Sequence, residues 1–433
     1  MTPNLLHNVS IGKMEAKKSS SLFKLFIAFF ALVINIDTVS YILLRTDAMV
    51  AGYQKMFFAT ILFISFIFFF KWRRSDRICF FLFVLLLAKL VVESLIGYHS
   101  LLIYPSVLAV MFPFLYVYFI KNLFRKLHLE VFEVLIAFIF LGYFVFMIFN
   151  GRGFGFSNTL LTQENGPYSG DTRILHANSI LLLLLPLLYF LNQILSGKKS
   201  LASVAGFAVS FIIIIIHQHR TVWVTTILAT SLLLFMKGGK KGMLKKILLF
   251  SLITIGLFVL LIIAIPGLSQ LLTQRFMDVL DPLNEENTSG FRYLQILAYL
   301  NFFIQKPLFG WTFSGFELSN PFIENWDEGT GQHFHDAYIE VLFYFGISGL
   351  LLKFYPIYSV AKKMRKQLSD KSKILAAFSV SGFLYSFSYI PPLIFWGIVG
   401  LCLYNIERDL KLYKLTGVNK DAEGTVQTNF VQS

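Results

Sequence analysis

Four polar residues, His217-Gln218-His219-Arg220, interrupt an apolar run that otherwise extends from Leu201 to Met236. As one helix, this run would measure roughly 54 Å, nearly twice a hydrocarbon core of roughly 30 Å. The run therefore predicts two spanning helices joined at a polar tip. Lysines flank the start and the end of the run, and the positive-inside rule places them in the cytoplasm. The tip then lies at the outer membrane face. Arg220, with His219 beside it, could bind an anionic substrate there.

A second polar cluster, His333-Phe334-His335-Asp336, precedes a late apolar run. His335 could act as a general base near neutral pH. Asp336 and Glu340, one helical turn apart, could orient it or cap the helix. His333, His335 and Asp336 could instead hold a metal ion, but His-x-His alone is a weak signal and no third cluster follows. Interfacial histidines without a chemical role are the further alternative.

Arginine and histidine also occur together before the apolar run at 174–195, where Arg173 is followed by His176. With Arg220 and Arg292, this gives three arginines at the outer face. Their planar guanidinium groups fit phosphate oxygens, so together they could neutralise a diphosphate. Because the sequence contains no Asp-x-Asp pair, we expect a metal-free reaction. The arginines would stabilise a departing diphosphate, and a histidine would deprotonate the incoming hydroxyl.

Arg292 belongs to a segment, 290–305, whose pattern predicts an amphipathic helix. Arg292, Gln295 and Tyr299 fall on one side of it, and Pro307 and Gly310 end it. Such a helix would lie along the outer membrane face. Its arginine either turns toward a cleft or snorkels to lipid phosphate.

The composition identifies the class of protein that must position these clusters. The chain has 433 residues, of which 56% are hydrophobic and 14% charged, and its mean hydropathy is +0.68. A soluble domain could not bury so much apolar surface, so we expect an all-α integral membrane protein. The net charge of +14 lies mostly in short loops on one side, which excludes nucleic-acid binding as its explanation.

About twelve spans with both termini in the cytoplasm place every basic loop on one side of the membrane. These spans are predicted at 22–44, 56–70, 78–96, 101–120, 131–149, 174–195, 201–217, 220–236, 246–266, 337–360, 373–389 and 391–407. The first twenty residues indicate an uncleaved signal anchor. The two cysteines, Cys79 and Cys402, fall in or beside spans and cannot form a zinc cluster.

The predicted organisation is a cytoplasmic tail at 1–21, one membrane domain at 22–416 and a disordered cytoplasmic tail at 417–433. A large extracytoplasmic loop at 267–335 is the natural place for a functional region. It is acidic, so the arginines it retains are informative.

Charged residues inside spans have a competing interpretation. Lys89 and Glu93, four residues apart in the third span, predict an ion pair on one helix face. Asp37, in the first span, has no local partner. Such charges could instead mark an ion path, as in a transporter.

Three of these stretches resemble motifs of the bacterial O-antigen ligase and polymerase family. The hairpin tip His219-Arg220-Thr221 is similar to the family's small/polar-Arg-Thr tip. Gly290-Phe291-Arg292, continuing to Lys306-Pro307-Leu308-Phe309-Gly310, resembles its Arg-led helix ending in a Pro-Leu-x-Gly turn. His335-Asp336-Ala337-Tyr338-Ile339-Glu340, followed by Gly346-Ile347 and Gly349, resembles its His-Asn-x-Tyr-Leu-Glu…Gly-x-x-Gly signature.

A fainter likeness involves His176-Ala177-Asn178, and the resemblance as a whole covers about 170–360. One departure is Asp336, where the family usually has Asn. The resemblance implies a GT-C-like helical fold and metal-independent transfer, without a cofactor, from an undecaprenyl-diphosphate-linked glycan. Arg220 and Arg292 would bind the diphosphate, and His335 would activate the acceptor hydroxyl. Arg173 is the third candidate for binding the diphosphate, and the supporting candidates are His333, Asp336, Glu340, His176 and His219.

The acceptor distinguishes two activities that share this chemistry. A lipid A core or protein acceptor would make the chain a ligase, which the motifs slightly favour, and a carrier-linked repeat unit would make it a polymerase. The expected location is the bacterial inner membrane, with the active site on the extracytoplasmic side. A transporter for lipid-linked sugars is the alternative from another class, but no inverted repeat is evident and the loop 267–335 has little use in one.

Overall fold

A computed structural model describes residues 21–44, 47–99, 105–149, 176–197, 200–217, 219–237, 288–315 and 334–428, with Gly256, Val259, Leu260, Ile263, Thr273 and Leu318. Within these residues the regular structure is entirely helical. The α-helices are α1 (Ser21–Val33), α2 (Asp37–Leu44), α3 (Asp47–Phe68), α4 (Arg74–Tyr98), α5 (Pro105–Leu127), α6 (Phe132–Phe149), α7 (Ala177–Leu182), α8 (Leu184–Leu195), α9 (Leu201–Ile216), α10 (Arg220–Lys237), α11 (Thr288–Gln305), α12 (Ala337–Lys363), α13 (Asp370–Tyr385) and α14 (Leu393–Thr428).

Several of these helices can cross a membrane, which confirms the predicted class. Among the described residues, six are long and apolar enough: Met49–Lys71, Arg74–Gly97, Val107–Leu127, Ala177–Leu195, Arg220–Lys237 and Ala337–Lys363. Shorter apolar helices cover Lys24–Val33, Phe132–Val145 and Leu201–Ile216. The described part of the chain is therefore all-helical, and its apolar helices indicate a multi-pass membrane protein. The number of spans stays a prediction, since the predicted span 246–266 lies almost entirely outside the described residues.

The interrupted apolar run forms two helices, as its length predicts. α9 ends at Ile216 and α10 begins at Arg220. Carbonyl groups at the end of a helix lack partners within it, and here side chains supply them. The indole Nε1 of Trp223 donates to the Ile214 carbonyl at 3.0 Å, and Nδ1 of His217 lies 2.8 Å from the Ile213 carbonyl oxygen.

The first predicted span, 22–44, consists of two helices rather than one. α1 ends at Val33 and α2 begins at Asp37, and an acidic residue in a first turn suits the positive end of a helix. In the intervening break, the Asn35 amide donates to the Ala31 carbonyl at 2.8 Å and to the Tyr116 hydroxyl at 3.0 Å. Asp37, which the hydropathy pattern places within one span, is thus the first residue of a new helix.

Buried ion pairs hold the helix ends that were predicted to face the cytoplasm. Lys121 on α5 pairs with Asp76 of α4 and with Glu407 of α14, both at 2.7 Å. Glu407 also pairs with Arg73 at 3.0 Å. Because each buried charge has an opposite partner, the cluster fixes three helices without leaving an isolated charge in an apolar medium.

The predicted pairing of Lys89 with Glu93 is confirmed as an ion pair along α4. Thr312, in a 3₁₀ turn after α11, joins it: its hydroxyl accepts from Lys89 at 3.2 Å and donates to Glu93. Charges within a span are here part of the contact between α4 and the segment that follows α11.

A contact between two glycine-containing segments shapes α12, and we call it the turn–kink contact. α12 is kinked at Gly346, whose φ is 60°, and the turn 306–310 packs into the kink. The Ile347 amide donates to the Pro307 carbonyl at 2.8 Å, Ser348 to Leu308 at 3.1 Å, and Trp311 to Phe343 at 2.8 Å. The backbone groups freed by the kink thereby regain partners, as an apolar medium requires.

Both glycines in the turn–kink contact are required by space as well as by conformation. A Cβ on Gly310, whose φ is +68°, would lie 2.4 Å from the Phe345 nitrogen. A Cβ on Gly346 would lie 2.5 Å from the Pro307 carbonyl oxygen. Residues with a Cβ rarely adopt such φ values. This explains why the Pro-Leu-x-Gly motif ends in Gly310 and why the later Gly-x-x-Gly motif begins with Gly346.

α14 continues to Thr428. It therefore includes most of the segment 417–433, which the sequence predicts to be a disordered tail. Its first part packs along α5, which is the most extensive helix pair in the described part of the chain. Cys79 and Cys402 are both buried and free, in agreement with their predicted place in or beside spans.

Candidate functional site

The amphipathic helix predicted at 290–305 is confirmed as α11, Thr288–Gln305. Its predicted polar side faces the protein, because Gln295 and Tyr299 are almost fully buried. The Tyr299 ring packs against Phe334 and Phe343, with ring centroids 4.6 and 5.3 Å apart. These contacts hold α11 against the start of α12, and Arg292 lies half-buried one turn before Gln295.

His335 is held against the first turns of α11. Its backbone amide donates to Oε1 of Gln295 at 3.2 Å. Its ring meets the Phe291 ring edge to face, with centroids 5.9 Å apart. The candidate base therefore neighbours the residue that precedes Arg292, and its side chain is half-buried rather than sealed in the core.

Asp336 caps α12, which was one of its two predicted roles. Its Oδ1 atom accepts from the amides of Tyr338 at 2.7 Å and Ile339 at 3.0 Å. Burial raises the pKa of Asp336 to about 6, although these hydrogen bonds and the nearby Arg292 charge oppose the shift. The Asp336 carboxyl thus fixes the backbone directly after His335 and lies in the electrostatic field of Arg292.

Glu340 lies apart from that arrangement. It is buried, and its carboxylate pairs with Lys353 of the same helix at 3.1 Å. Lys353 is 1% exposed and lies on the far side of the kink at Gly346. The ion pair therefore bridges the kink. Glu340 was predicted to orient His335 or to cap the helix, but the cap is Asp336.

Tyr389, in the segment between α13 and α14, joins candidates from three separate clusters. Its ring centroid lies 4.9 Å from the guanidinium carbon of Arg292. The rings of His176 and His219 meet it edge to face, with centroids 6.0 and 6.4 Å away. We call these four residues the outer polar cluster. Together they span more than 200 positions of the sequence, from His176 to Tyr389.

The outer polar cluster has a second layer of support. The Tyr385 ring stacks on Tyr389 at 5.3 Å, and the Tyr385 hydroxyl donates to Oδ1 of Asn178 at 2.7 Å. His176 caps α7, because its Nδ1 atom accepts from the Asn178 amide at 3.3 Å. One network of contacts thus joins the segment before α14 to the start of α7.

Arg292 is held in the outer polar cluster by charge and by the aromatic ring rather than by hydrogen bonds. Its Nε atom is buried and has no hydrogen-bond partner in the described part of the chain. Attraction to the face of Tyr389 and to the Asp336 carboxyl fixes the planar group. A guanidinium carries five N–H donors, so the remaining ones suit an anionic ligand.

Arg220 begins α10 directly after His219 and is half-buried. Its position in sequence places its backbone beside a member of the outer polar cluster, at a helix N-terminus, where anions are favoured. Two other predicted residues, Arg173 and His333, lie outside the described residues. In the described ranges, no group of three or more His, Cys, Asp or Glu side chains is arranged to hold a metal ion.

Sequence analysis did not identify Tyr389. A tyrosine at the end of a predicted span is usually an interfacial anchor, so its residue type carried no special signal. The one available hint was position, since Tyr389 precedes Pro391-Pro392 in the short connection between two late spans. Contacts with residues so distant in sequence are set by helix packing alone.

The fold and these clusters define a multi-pass helical membrane protein with arginine and histidine side chains gathered at one end of its bundle. The O-antigen ligase family matches residues 205–354, about a third of the chain. This segment of the chain is therefore similar to the O-antigen ligase family. No curated protein matches the chain. The matched segment contains His219, Arg220, Arg292 and His335, whereas His176 and Tyr389 lie outside it.

Proposed function

We propose that this protein is a membrane glycosyltransferase of the O-antigen ligase type. It moves a glycan from an undecaprenyl-diphosphate carrier to an acceptor hydroxyl at the outer face of the bacterial inner membrane. The acceptor is a lipid A core, a protein or another glycan. The proposal includes a GT-C-like bundle of about twelve spans with both termini in the cytoplasm.

The observation that carries this proposal is the outer polar cluster, together with His335 on the adjoining turn. Three sequence-distant groups, His176, His219 and Arg292, meet one tyrosine ring. A purely interfacial arginine would extend its guanidinium to lipid phosphate. Arg292 instead packs against protein aromatic surface beside a buried carboxyl, which is typical of a positioned binding group.

In the proposed reaction, Arg220 and Arg292 bind the diphosphate of the donor, with Arg173 as a third cation. The acceptor oxygen attacks the anomeric carbon of the donor glycan. A new glycosidic bond forms as the bond between that carbon and the diphosphate oxygen breaks. The bonding electrons leave on the diphosphate, and the arginines stabilise the negative charge that develops there.

His335 accepts the proton from the acceptor hydroxyl as the new bond forms. Imidazole is a common general base in enzymes that act near neutral pH. The cap that Asp336 places on α12 fixes the backbone next to His335. His176, His219 and His333 contribute to the polar surroundings, and the ion pair of Glu340 stabilises α12, which begins two residues after His335.

No metal ion or cofactor has a part in this proposal. The cations that balance the leaving diphosphate are the three arginines, whose forks bind phosphate oxygens in pairs. The proposal therefore predicts full activity in the presence of a chelator.

Two alternatives use the same outer residues. A polymerase differs only in the acceptor, which is then a carrier-linked repeat unit. A transporter of lipid-linked sugars would also need charged groups along its path, and Lys89 and Glu93 are instead paired with each other and with Thr312. That closed network favours a structural role for these two charges.

The experiment that tests the proposal is a transfer assay with the purified full chain, a synthetic polyprenyl-diphosphate glycan, candidate acceptors and EDTA. We expect product with wild type and a large loss in His335→Ala and Arg292→Ala, both well folded. The acceptor that supports product distinguishes ligase from polymerase.

Three results would contradict the proposal. Undiminished transfer by His335→Ala would remove the general base. Absence of transfer with every acceptor, together with movement of the carrier across liposome membranes, would identify a transporter. Loss of activity in EDTA that returns with added divalent cation would contradict the metal-independent step.

A further inference from the structure

A cavity of about 220 Å³ adjoins the outer polar cluster. Its walls come from the first turns of α3 and α5, the start of α7, and the segment 390–393. Ile390, which lines it, follows Tyr389 directly, and Asn178 lines it while accepting from Tyr385. The cavity and the proposed diphosphate site therefore share a wall.

Two lysines on helices that are apolar enough to cross a membrane line this cavity. Lys55 lies on α3 and Lys353 on α12, inside the candidate spans Met49–Lys71 and Ala337–Lys363. Charged residues on such helices usually face a bundle interior or a water-filled path and mark a place where a substrate binds. Their occurrence together in one cavity is therefore a functional signal.

The two lysines differ in their neighbours. Lys353 is buried and pairs with Glu340 at 3.1 Å. Lys55 lines the cavity and is exposed, and no ion pair or hydrogen bond joins it to another described residue. The cavity consequently carries about one net positive charge, located at Lys55.

The remaining lining fits one sugar ring. The amides of Gln54 and Asn178 are neutral hydrogen-bonding groups, and Phe112 and Pro391 offer apolar surface. Pockets for drug-sized molecules measure roughly 300–1,000 Å³, so about 220 Å³ suits a single ring rather than an oligosaccharide.

We infer that this cavity binds one monosaccharide ring of the glycan substrate and selects a ring that carries a carboxylate. Lys55 would pair with the carboxylate, and the two amides would hydrogen-bond hydroxyl groups. The inference rests on the proposed glycosyl transfer, since it assigns the sugar class handled beside the diphosphate site. The same positive charge could attract the diphosphate itself, so the test includes both anions.

The test measures binding to the purified full chain by saturation-transfer NMR with glucuronate, glucose and inorganic pyrophosphate as probes. We expect glucuronate to bind at least about tenfold more tightly than glucose, the ratio that a charge-assisted hydrogen bond of ordinary strength gives. Lys55→Gln should abolish that preference and Lys55→Arg should retain it. Lys71→Gln is the matched control, because Lys71 lies just beyond the opposite end of the helix that contains Lys55. It should leave the preference for glucuronate unchanged.

Three results would overturn the inference. These are equal binding of glucuronate and glucose, a preference that survives in folded Lys55→Gln, or displacement of glucuronate by pyrophosphate in both wild type and Arg292→Ala. The last result would assign Lys55 to the diphosphate. The binding assay requires no turnover, so absence of glycan transfer with a Lys55-dependent glucuronate preference would reject the proposed function and keep the cavity assignment.

Discussion

The outer polar cluster and the turn–kink contact lie at the two ends of α11 and are built from different interactions. At its start, Arg292 meets a tyrosine and, through it, two histidines from other helices. Beyond its end, the turn 306–310 joins the kinked helix through backbone hydrogen bonds and two glycines. The first region gathers arginine and histidine side chains that suit an anionic ligand. The second is held mainly by its backbone, and its one cationic side chain, Lys306, contacts Trp311 and Ser314.

This difference separates the resembling motifs into two kinds. His335, Arg292 and Arg220 belong to the end of α11 where chemistry is proposed. Pro307, Gly310 and Gly346 belong to the end where the backbone of α12 is held. A motif that occurs in an enzyme family can therefore reflect packing as well as catalysis, and substitutions at the two ends should fail in different ways.

The largest expected effect is on the turn–kink contact. Gly310→Ala would place a Cβ 2.4 Å from backbone atoms at a positive φ, so we expect a loss of at least about 3 kcal/mol of stability and little folded protein. The measurement is the folded fraction after purification, followed by thermal unfolding. Gly142→Ala, in α6 with nothing within 4 Å of the new Cβ, is the control and should unfold at the wild-type temperature or slightly above it.

His335→Ala should fail in the opposite way. Removal of a general base lowers the rate by roughly 10²–10⁴-fold, while the ring that is lost is only half-buried and packs on Phe291. We expect an unfolding temperature close to that of wild type with activity almost lost, measured on the same preparation. A parallel loss of fold and activity would place His335 with the structural residues.

Tyr389 tests whether the cluster acts as a unit. Tyr389→Leu removes the ring that faces Arg292, and a cation–π interaction of about 0.5–2 kcal/mol corresponds to roughly threefold to thirtyfold weaker donor binding. Tyr389→Phe retains the ring and should bind the donor almost as wild type does. The measurement is the KM for the donor and the KM for the acceptor in each variant. Tyr389→Leu should raise only the KM for the donor, and an equal rise in both KM values would indicate general disruption.

The smallest expected effect concerns Asp336. Its pKa of about 6 in the folded chain exceeds an unfolded value of about 4, so the folded state binds the extra proton between these values. Stability from this group is greatest below pH 4 and falls as the pH rises toward 6. Asn can keep the cap without titrating, so Asp336→Asn should gain thermal stability relative to wild type at pH 7.5 and less at pH 4.5. A pH-independent difference would contradict the raised pKa.

The sequence predicted the local elements well, and the reasons are local. The period of apolar residues predicts α11 and the break at 217–220, and the ionic pair Lys89–Glu93 follows from four-residue spacing on a helix. The cap at Asp336, one of the roles predicted for that residue, also depends on neighbouring residues only.

The contacts that define the site depend on tertiary packing and could not be predicted in that way. Nothing in the spacing of Arg292 and Tyr389 indicates that they meet. Glu340 was grouped with Asp336 because they are one turn apart, yet its partner Lys353 lies across a kink that only the positive φ of Gly346 creates. Likewise, a division of 22–44 into two helices is invisible to hydropathy.

The central claim is that Arg292 and Tyr389 form one binding unit for the donor diphosphate, which a double-mutant cycle tests most directly. Donor binding would be measured by titration calorimetry for wild type, Arg292→Lys, Tyr389→Leu and the double variant. Our account predicts a coupling of at least about 0.5 kcal/mol, so that the second substitution has little further effect once the first is made. Additive losses, or donor affinity unchanged in Arg292→Lys, would contradict it.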